Sequence, residues 1–217
     1  MKRVIAIDGP AGAGKSTVAK IVAEKLGYTY IDTGAMYRGV AWKTLKQSQA
    51  ATDEDILRAV QEIDVRLACT ENGTRVTVDG TDVTQEIRTP EVTHIVSRVA
   101  ALGPVREKMV ELQRAMAADG AIVMDGRDIG TNVLPNADVK IFLTASVEER
   151  ARRRYDEMKE KGYAVNFDKL KREIALRDKQ DSEREISPLR QAEDAVLLDT
   201  TSLSIDEVVA HVLKLSE

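Results

Sequence analysis

An α/β fold built on a parallel sheet is predicted by three features of this sequence. Short apolar runs recur along the chain, and most of them are followed by a segment of helical periodicity. The first run is joined to its helix by a glycine-rich loop, G-P-A-G-A-G-K-S. One stretch alone departs from this rhythm, at residues 65–78, where apolar and polar residues alternate around an Asn-Gly pair and an Asp-Gly pair follows.

At 217 residues the chain is long enough for one such domain with insertions, and its apolar and charged content is that of an ordinary globular protein. A net charge of −4 argues against non-specific nucleic-acid binding, which needs a basic footprint. Asp8 interrupts the first apolar run too early for a signal-peptide core, and no run has transmembrane length. Cys69 is the one cysteine, so no internal disulfide can form, and its strand-like setting favours a buried structural role. The cytoplasm is the expected compartment, with no membrane partner and a monomeric state.

Residues 3–8 read as a buried parallel strand, residues 15–26 as a helix ended by Gly27, and residues 28–31 as the next strand. The loop between the first strand and its helix has the composition of a phosphate cradle. Gly9, Gly12 and Gly14 let the backbone wrap a phosphate, and the helix that follows presents its positive N-terminus. Lys15 is placed to reach the β- and γ-phosphates of a nucleoside triphosphate, and Ser16 to bind Mg²⁺. The loop as a whole, Gly9, Pro10, Ala11, Gly12, Ala13, Gly14, Lys15, Ser16 and Thr17, is the expected ATP-binding segment. These features predict a three-layer P-loop NTPase fold.

The segment D-T-G-A-M-Y-R, residues 32–38, lies just beyond a strand, where open α/β sheets place ligands. It reads either as a strand-to-helix turn with Asp32 as N-cap, or as a phosphate site that uses Arg38, with Tyr37 and Arg38 opening a helix that runs to about Lys46. A short amphipathic helix is predicted over residues 53–63, followed by a small antiparallel insertion from residue 64 to residue 84. Two helices, over residues 90–101 and 104–118, break at Gly103 and Pro104. Residues 121–124 then form a short buried strand ending in D-G-R-D. Asp125 there suits the acidic group that assists Mg²⁺ in phosphate-loop enzymes, the alternative being a turn rich in Asp and Gly.

Another strand is predicted over residues 139–143, and then a helix over 147–161 that carries Arg150, Arg152, Arg153 and Arg154. These arginines fit a lid over polyphosphate, hinged near residues 159–162, or else a solvated helix face. The next charged helix is predicted over residues 168–179, and if it continues, Arg177, Asp181 and Arg184 fall on one face, either as site residues or as surface ion pairs. A fifth parallel strand, 195–199, and a last helix capped by Ser204 close the chain. His94 and His211 have no partners at ligand spacing, so no zinc site is predicted. Trp42 reads as packing.

The sequence resembles the bacterial cytidylate kinases, a family of nucleoside monophosphate kinases. The likeness is carried by I-D-G-P-A-G-A-G-K-S-T, D-T-G-A-M-Y-R-G-V, E-I-R-T-P-E-V, S-R-V-A-A-L-G-P-V-R, M-D-G-R-D-I-G-T-N-V-L-P-N-A-D-V-K-I-F-L-T-A-S, G-Y-A-V-N-F and R-D-K-Q-D-S-E-R. It implies transfer of the γ-phosphoryl group of ATP to CMP or dCMP with Mg²⁺. It also implies that Thr33, Arg38, Arg127 and Arg184 hold the acceptor phosphate, Arg177 and Asp181 its sugar, and Ser97, Arg106 and Asp128 the cytosine, with Tyr37 in the same pocket. Lys15, Arg127, Arg184 and Arg153 are the expected catalytic cations, and Ser16 and Asp125 the expected metal ligands. Thr33 replaces a serine common in the family but keeps the hydroxyl. The family's organisation maps here onto one domain: a core at about 1–34, 102–149 and 185–217, a monophosphate-binding region at about 35–101 that includes the β insertion, and a lid at about 150–184.

Two other classes fit a phosphate loop. A GTPase-like switch would specify guanine with N-K-x-D, yet no asparagine here precedes a lysine. A P-loop kinase for another small acceptor, such as UMP, AMP or shikimate, shares the same loop chemistry.

Overall fold

The computed structural model describes residues 3–70, 73–160 and 162–217, and only the backbone of Cys69. Glu71 and Asn72 of the expected Asn-Gly turn, the Cys69 side chain and Lys161 of the expected hinge lie outside this description.

Five parallel strands form the central sheet in the order β2-β6-β1-β7-β8: β1 (Val4–Asp8), β2 (Thr29–Asp32), β6 (Ile122–Gly126), β7 (Val139–Thr144) and β8 (Val196–Asp199). The side-chain alternation of β1 creates the layers. Ile5 and Ile7 pack on one face with Val18 and Val22 of α1 (Lys15–Leu26) and with Val208 and Val212 of α8 (Ile205–Leu215). Ala6 faces the other way, toward Val110 of α5 (Gly103–Ala117) and Ile129. Both faces of the strand are covered, so it reads as a continuous apolar run.

The local signals act where they stand. Gly27 closes α1 at φ 67, donating to the Ala23 and Glu24 carbonyls. Ser204 and Glu207 form a reciprocal capping box on α8, and Thr52 and Asp55 form one on α3 (Asp53–Gln61). The three-stranded antiparallel insertion is present as β3 (Val65–Thr70), β4 (Gly73–Val78) and β5 (Thr81–Asp82). It does not stand apart, because Val65, Val76 and Val78 share a core with Met36 and Val40 of α2 (Thr33–Gln47) and with Val92 and Val96 of α4 (Pro90–Ala101). Trp42 packs against that same core.

Near the site two helix boundaries differ from expectation and one element is new. α2 begins at Thr33 rather than Tyr37, since Asp32 caps it by accepting the Ala35 N–H at 2.9 Å. α7 runs Phe167–Glu183, past the expected end, so Arg177 and Asp181 share one continuous helix while Arg184 stands at its C-cap. A π-helical turn, Ile129–Val133, follows β6, and no periodicity announced it. The arginine-rich helix, α6, spans Val147–Glu160 and packs on α7. Among the described residues no helix is long and apolar enough to cross a membrane.

Candidate active site

The C-terminal ends of β1, β2 and β6 meet at one edge of the sheet, where Asp8 is level with Gly126, and Asp32 with Asp125. The phosphate loop leaves β1 at this edge. Gly9, Gly12 and Gly14 hold φ values of 148, 77 and 86. A methyl group on Gly9 would lie 1.9 Å from the Leu143 carbonyl oxygen, so the loop passes β7 with backbone against backbone. α1 starts without a side-chain cap, which leaves its first N–H groups for a ligand.

Lys15 is buried and donates to the Pro10 carbonyl at 2.8 Å, inside its own loop. Burial, then the nearby Arg127 guanidinium, push its pKa well below the usual lysine range. Ser16 donates to Asp125 Oδ2 at 3.0 Å and Tyr30 to Oδ1 at 2.7 Å, while the Thr33 hydroxyl donates to the Asp125 carbonyl at 2.7 Å. Burial, then Asp32, push the Asp125 carboxyl up. A hydroxyl beside a carboxylate offers only oxygen donors, as a hard cation such as Mg²⁺ requires. Among the described residues no group of three His, Cys, Asp or Glu side chains could hold a metal, so phosphate oxygens and water would complete such a shell.

Beyond the loop the cations crowd together. Arg38 donates to the Ile87 carbonyl at 3.1 Å and to the Thr93 hydroxyl at 2.8 Å. Burial, then Arg177, push its pKa down to about 9, and burial, then Arg127, push Arg177 down to about 10. The Arg177 Nε is buried with no hydrogen-bond partner. Arg127 donates to Asp181 at 2.9 Å and to the Gly126 carbonyl at 3.3 Å. Guanidinium groups do not surrender their protons, so these depressions express what it costs to bury the two charges, and then their repulsion by neighbouring cations, in a chain whose net charge is −4.

Next to this crowd lies a second, charge-paired cluster. Asp128 accepts a bond from Arg106, one from Asn132 at 3.1 Å and one from Arg184 at 3.3 Å. The Arg106 guanidinium lies over the Tyr37 ring, 5.5 Å from its centroid, and donates to the Ala100 carbonyl of α4, the helix that also carries Ser97. The Tyr37 hydroxyl and the Arg106 Nε are both buried without a hydrogen-bond partner.

The four arginines of α6 differ in their surroundings. Arg150 is buried and ties α6 to the loop and to α7, donating to Ala11 at 2.9 Å, to Ala145 at 2.9 Å and to Asp178 of α7 at 2.6 Å. Arg153 reaches the Thr200 carbonyl at 2.7 Å from a place beside Gly14. Arg154 pairs with Glu157 at 2.8 Å and lies close enough to Arg38 and Arg177 to repel them. Arg152 is solvated and pairs with Glu149. Three residues escaped the sequence reading: Asp8, Tyr30 and Asn132 make their contacts across strands or within the π-helical turn, and only an aspartate closing an apolar strand hinted at the first.

Comparisons with known proteins give the family. A family model described as cytidylate kinase matches residues 5–217. The cytidylate kinase of Bacillus subtilis (strain 168) is 58% identical over 217 residues, which cover 100% of this chain and 97% of that protein. That of Carboxydothermus hydrogenoformans is 54% identical over 212 residues, covering 97% of this chain and 96% of its own. Among solved structures, an uncharacterized protein from Eubacterium ventriosum ATCC 27560 overlays with a TM-score of 0.53 at 12% identity, covering 99% of this chain and 97% of its own, a likeness of fold alone.

Proposed function

This chain belongs to the cytidylate kinase family, and from that premise we propose that it transfers the γ-phosphoryl group of ATP to CMP and dCMP. The observation that carries this reading is the crowd of mutually repelling cations, Lys15, Arg38, Arg127 and Arg177, set between an uncapped helix N-terminus and a charge-paired cluster. Such a crowd costs stability unless polyanions neutralise it, and two phosphate chains meeting end to end do so.

ATP binds along residues 9–17, with its β- and γ-phosphates against the loop N–H groups and Lys15. Ser16 and Asp125 would hold Mg²⁺, which neutralises charge on the β- and γ-oxygens when bound. The acceptor phosphate sits among Thr33, Arg38, Arg127 and Arg184. The sugar hydroxyls meet Arg177 and Asp181. The cytosine meets Asp128, whose carboxylate accepts from the 4-amino group, while Arg106 and Ser97 donate to N3 or O2 beside Tyr37. Phosphoryl transfer of this kind needs alignment and charge neutralisation rather than a covalent nucleophile, and Lys15, Arg127, Arg153 and Arg184 supply the cations.

Residues 150–184 act as a lid, and Arg150 is its anchor on the phosphate loop. Residues 35–101 hold the monophosphate, on a core of residues 1–34, 102–149 and 185–217. The enzyme works as a cytoplasmic monomer without nucleic-acid or membrane partners.

ADP formation with CMP, dCMP, UMP, AMP and shikimate as acceptors tests the proposal. CMP and dCMP should give the highest kcat/KM. Turnover independent of acceptor, or highest with UMP, AMP or shikimate, overturns it.

A further inference from the structure

The π-helical turn Ile129–Val133 is capped by a carboxylate from another strand. Asp128 occupies its N-cap position, at φ −144 and ψ 28, yet makes no capping hydrogen bond. An aspartate there ordinarily turns its carboxylate onto the free N–H groups of its own helix. Two of those groups are instead taken by Asp8, at the end of β1, whose Oδ1 accepts from the Ile129 N–H at 2.8 Å and whose Oδ2 accepts from the Gly130 N–H at 2.7 Å. Asp8 is buried at 5% exposure, so these bonds compete little with water. Asp128 keeps both of its oxygens for Arg106, Asn132 and Arg184.

We propose that Asp8 is a positioning residue for acceptor selectivity: by capping the turn from β1 it keeps Asp128 off its own backbone and free to face the acceptor base. This rests on Asp128 reading the cytosine. It calls for a carboxylate in particular, because the Ile129 and Gly130 N–H groups meet separate oxygens, and an amide in the same place would turn its NH₂ donors against one of them. Asp8 also directly precedes Gly9, so the phosphate loop and the base-reading segment hang from one residue.

The test is kcat/KM for CMP and for UMP in the parent, Asp8→Asn, Asp128→Ala and the double variant, assayed well below each melting temperature. Asp8→Asn should lower the CMP/UMP ratio by about tenfold, the scale of one lost base contact, and should lower it no further in the Asp128→Ala background. A defect confined to stability would lower the melting temperature and leave the ratio as in the parent, which overturns the inference. Multiplying losses in the double variant overturn it too. An unchanged ratio in Asp128→Ala overturns the reading of Asp128 and this inference with it, whereas a changed ratio there beside a parental one in Asp8→Asn overturns this inference alone. Should Asp8→Asn fail to fold, the smaller Asp8→Ser carries the same expectation.

Discussion

Lys15 is buried, donates to a carbonyl of its own loop, and is pushed toward the neutral form by burial and by Arg127. It therefore costs the ligand-free protein something, a cost that a bound phosphate would offset. Lys15→Ala should lower kcat by at least about a hundredfold, the scale of one well-placed electrostatic group, without lowering the melting temperature. Near-parental turnover in folded enzyme would remove Lys15 from the catalytic cations. Asp181 behaves in the opposite sense. Burial alone would raise its pKa, but Arg127 and Arg177 outweigh burial and hold it below the ordinary range. Its native pKa lies under the unfolded value, so its stabilisation is present above about pH 4 and is lost as pH falls through the native pKa. Urea midpoints measured from about pH 5 down to about pH 3 should fall more steeply in the parent than in Asp181→Asn. Parallel curves would show that the pair with Arg127 adds nothing to folding.

At the scale of elements, two glycines with positive φ have different roles. Gly27 ends α1 at φ 67, and a methyl group there would meet nothing within 4 Å, so Gly27→Ala suffers only the left-handed penalty of about 1 kcal/mol. Gly9 sits at φ 148 and would drive a methyl to 1.9 Å from the Leu143 carbonyl oxygen, and no rotamer change relieves a clash with backbone. Gly9→Ala should thus lower the urea midpoint far more than Gly27→Ala and weaken ATP binding as well. Equal midpoints would mean that β1 and β7 can separate at the loop without cost. The caps and terminators of α1, α3 and α8 were legible because they act within a few residues of the chain. The early start of α2 was legible only as one of two alternatives, a turn capped by Asp32 or a phosphate site using Arg38, and of these the structure shows the cap.

At the scale of the whole molecule, the distribution of charge matters more than its sum. A chain of net charge −4 gathers cations at one end of its sheet, and the Arg177 Nε has no partner there. Replacing such a group with an apolar one of similar length relieves repulsion and desolvation at once. Arg177→Met should leave the ligand-free protein as stable as the parent, or more stable by about 1 kcal/mol in urea, while raising KM for CMP at least about tenfold and KM for ATP little. A large loss of stability would show that Arg177 holds α7 in place rather than waiting for an anion.

The order of strands and helices, the phosphate loop and the β insertion follow from the sequence alone, because periodicity, caps and glycine spacing are local and each element carries its own signal. The residue types of the candidate site were legible as well, through motifs such as D-G-R-D and R-D-K-Q-D-S-E-R. The sheet order β2-β6-β1-β7-β8 was not, because the place a crossover returns to is set by what it packs on. Nor could four arginines in five positions be told apart: only the packing of α6 on α7 and the phosphate loop buries Arg150 and leaves Arg152 in water. The exchange of roles between Asp8 and Asp128 lies deeper still. It joins residues on two adjacent strand ends that are 121 positions apart for the Asp8 to Ile129 bond, and a hydrogen bond across that separation exists only once the sheet has formed.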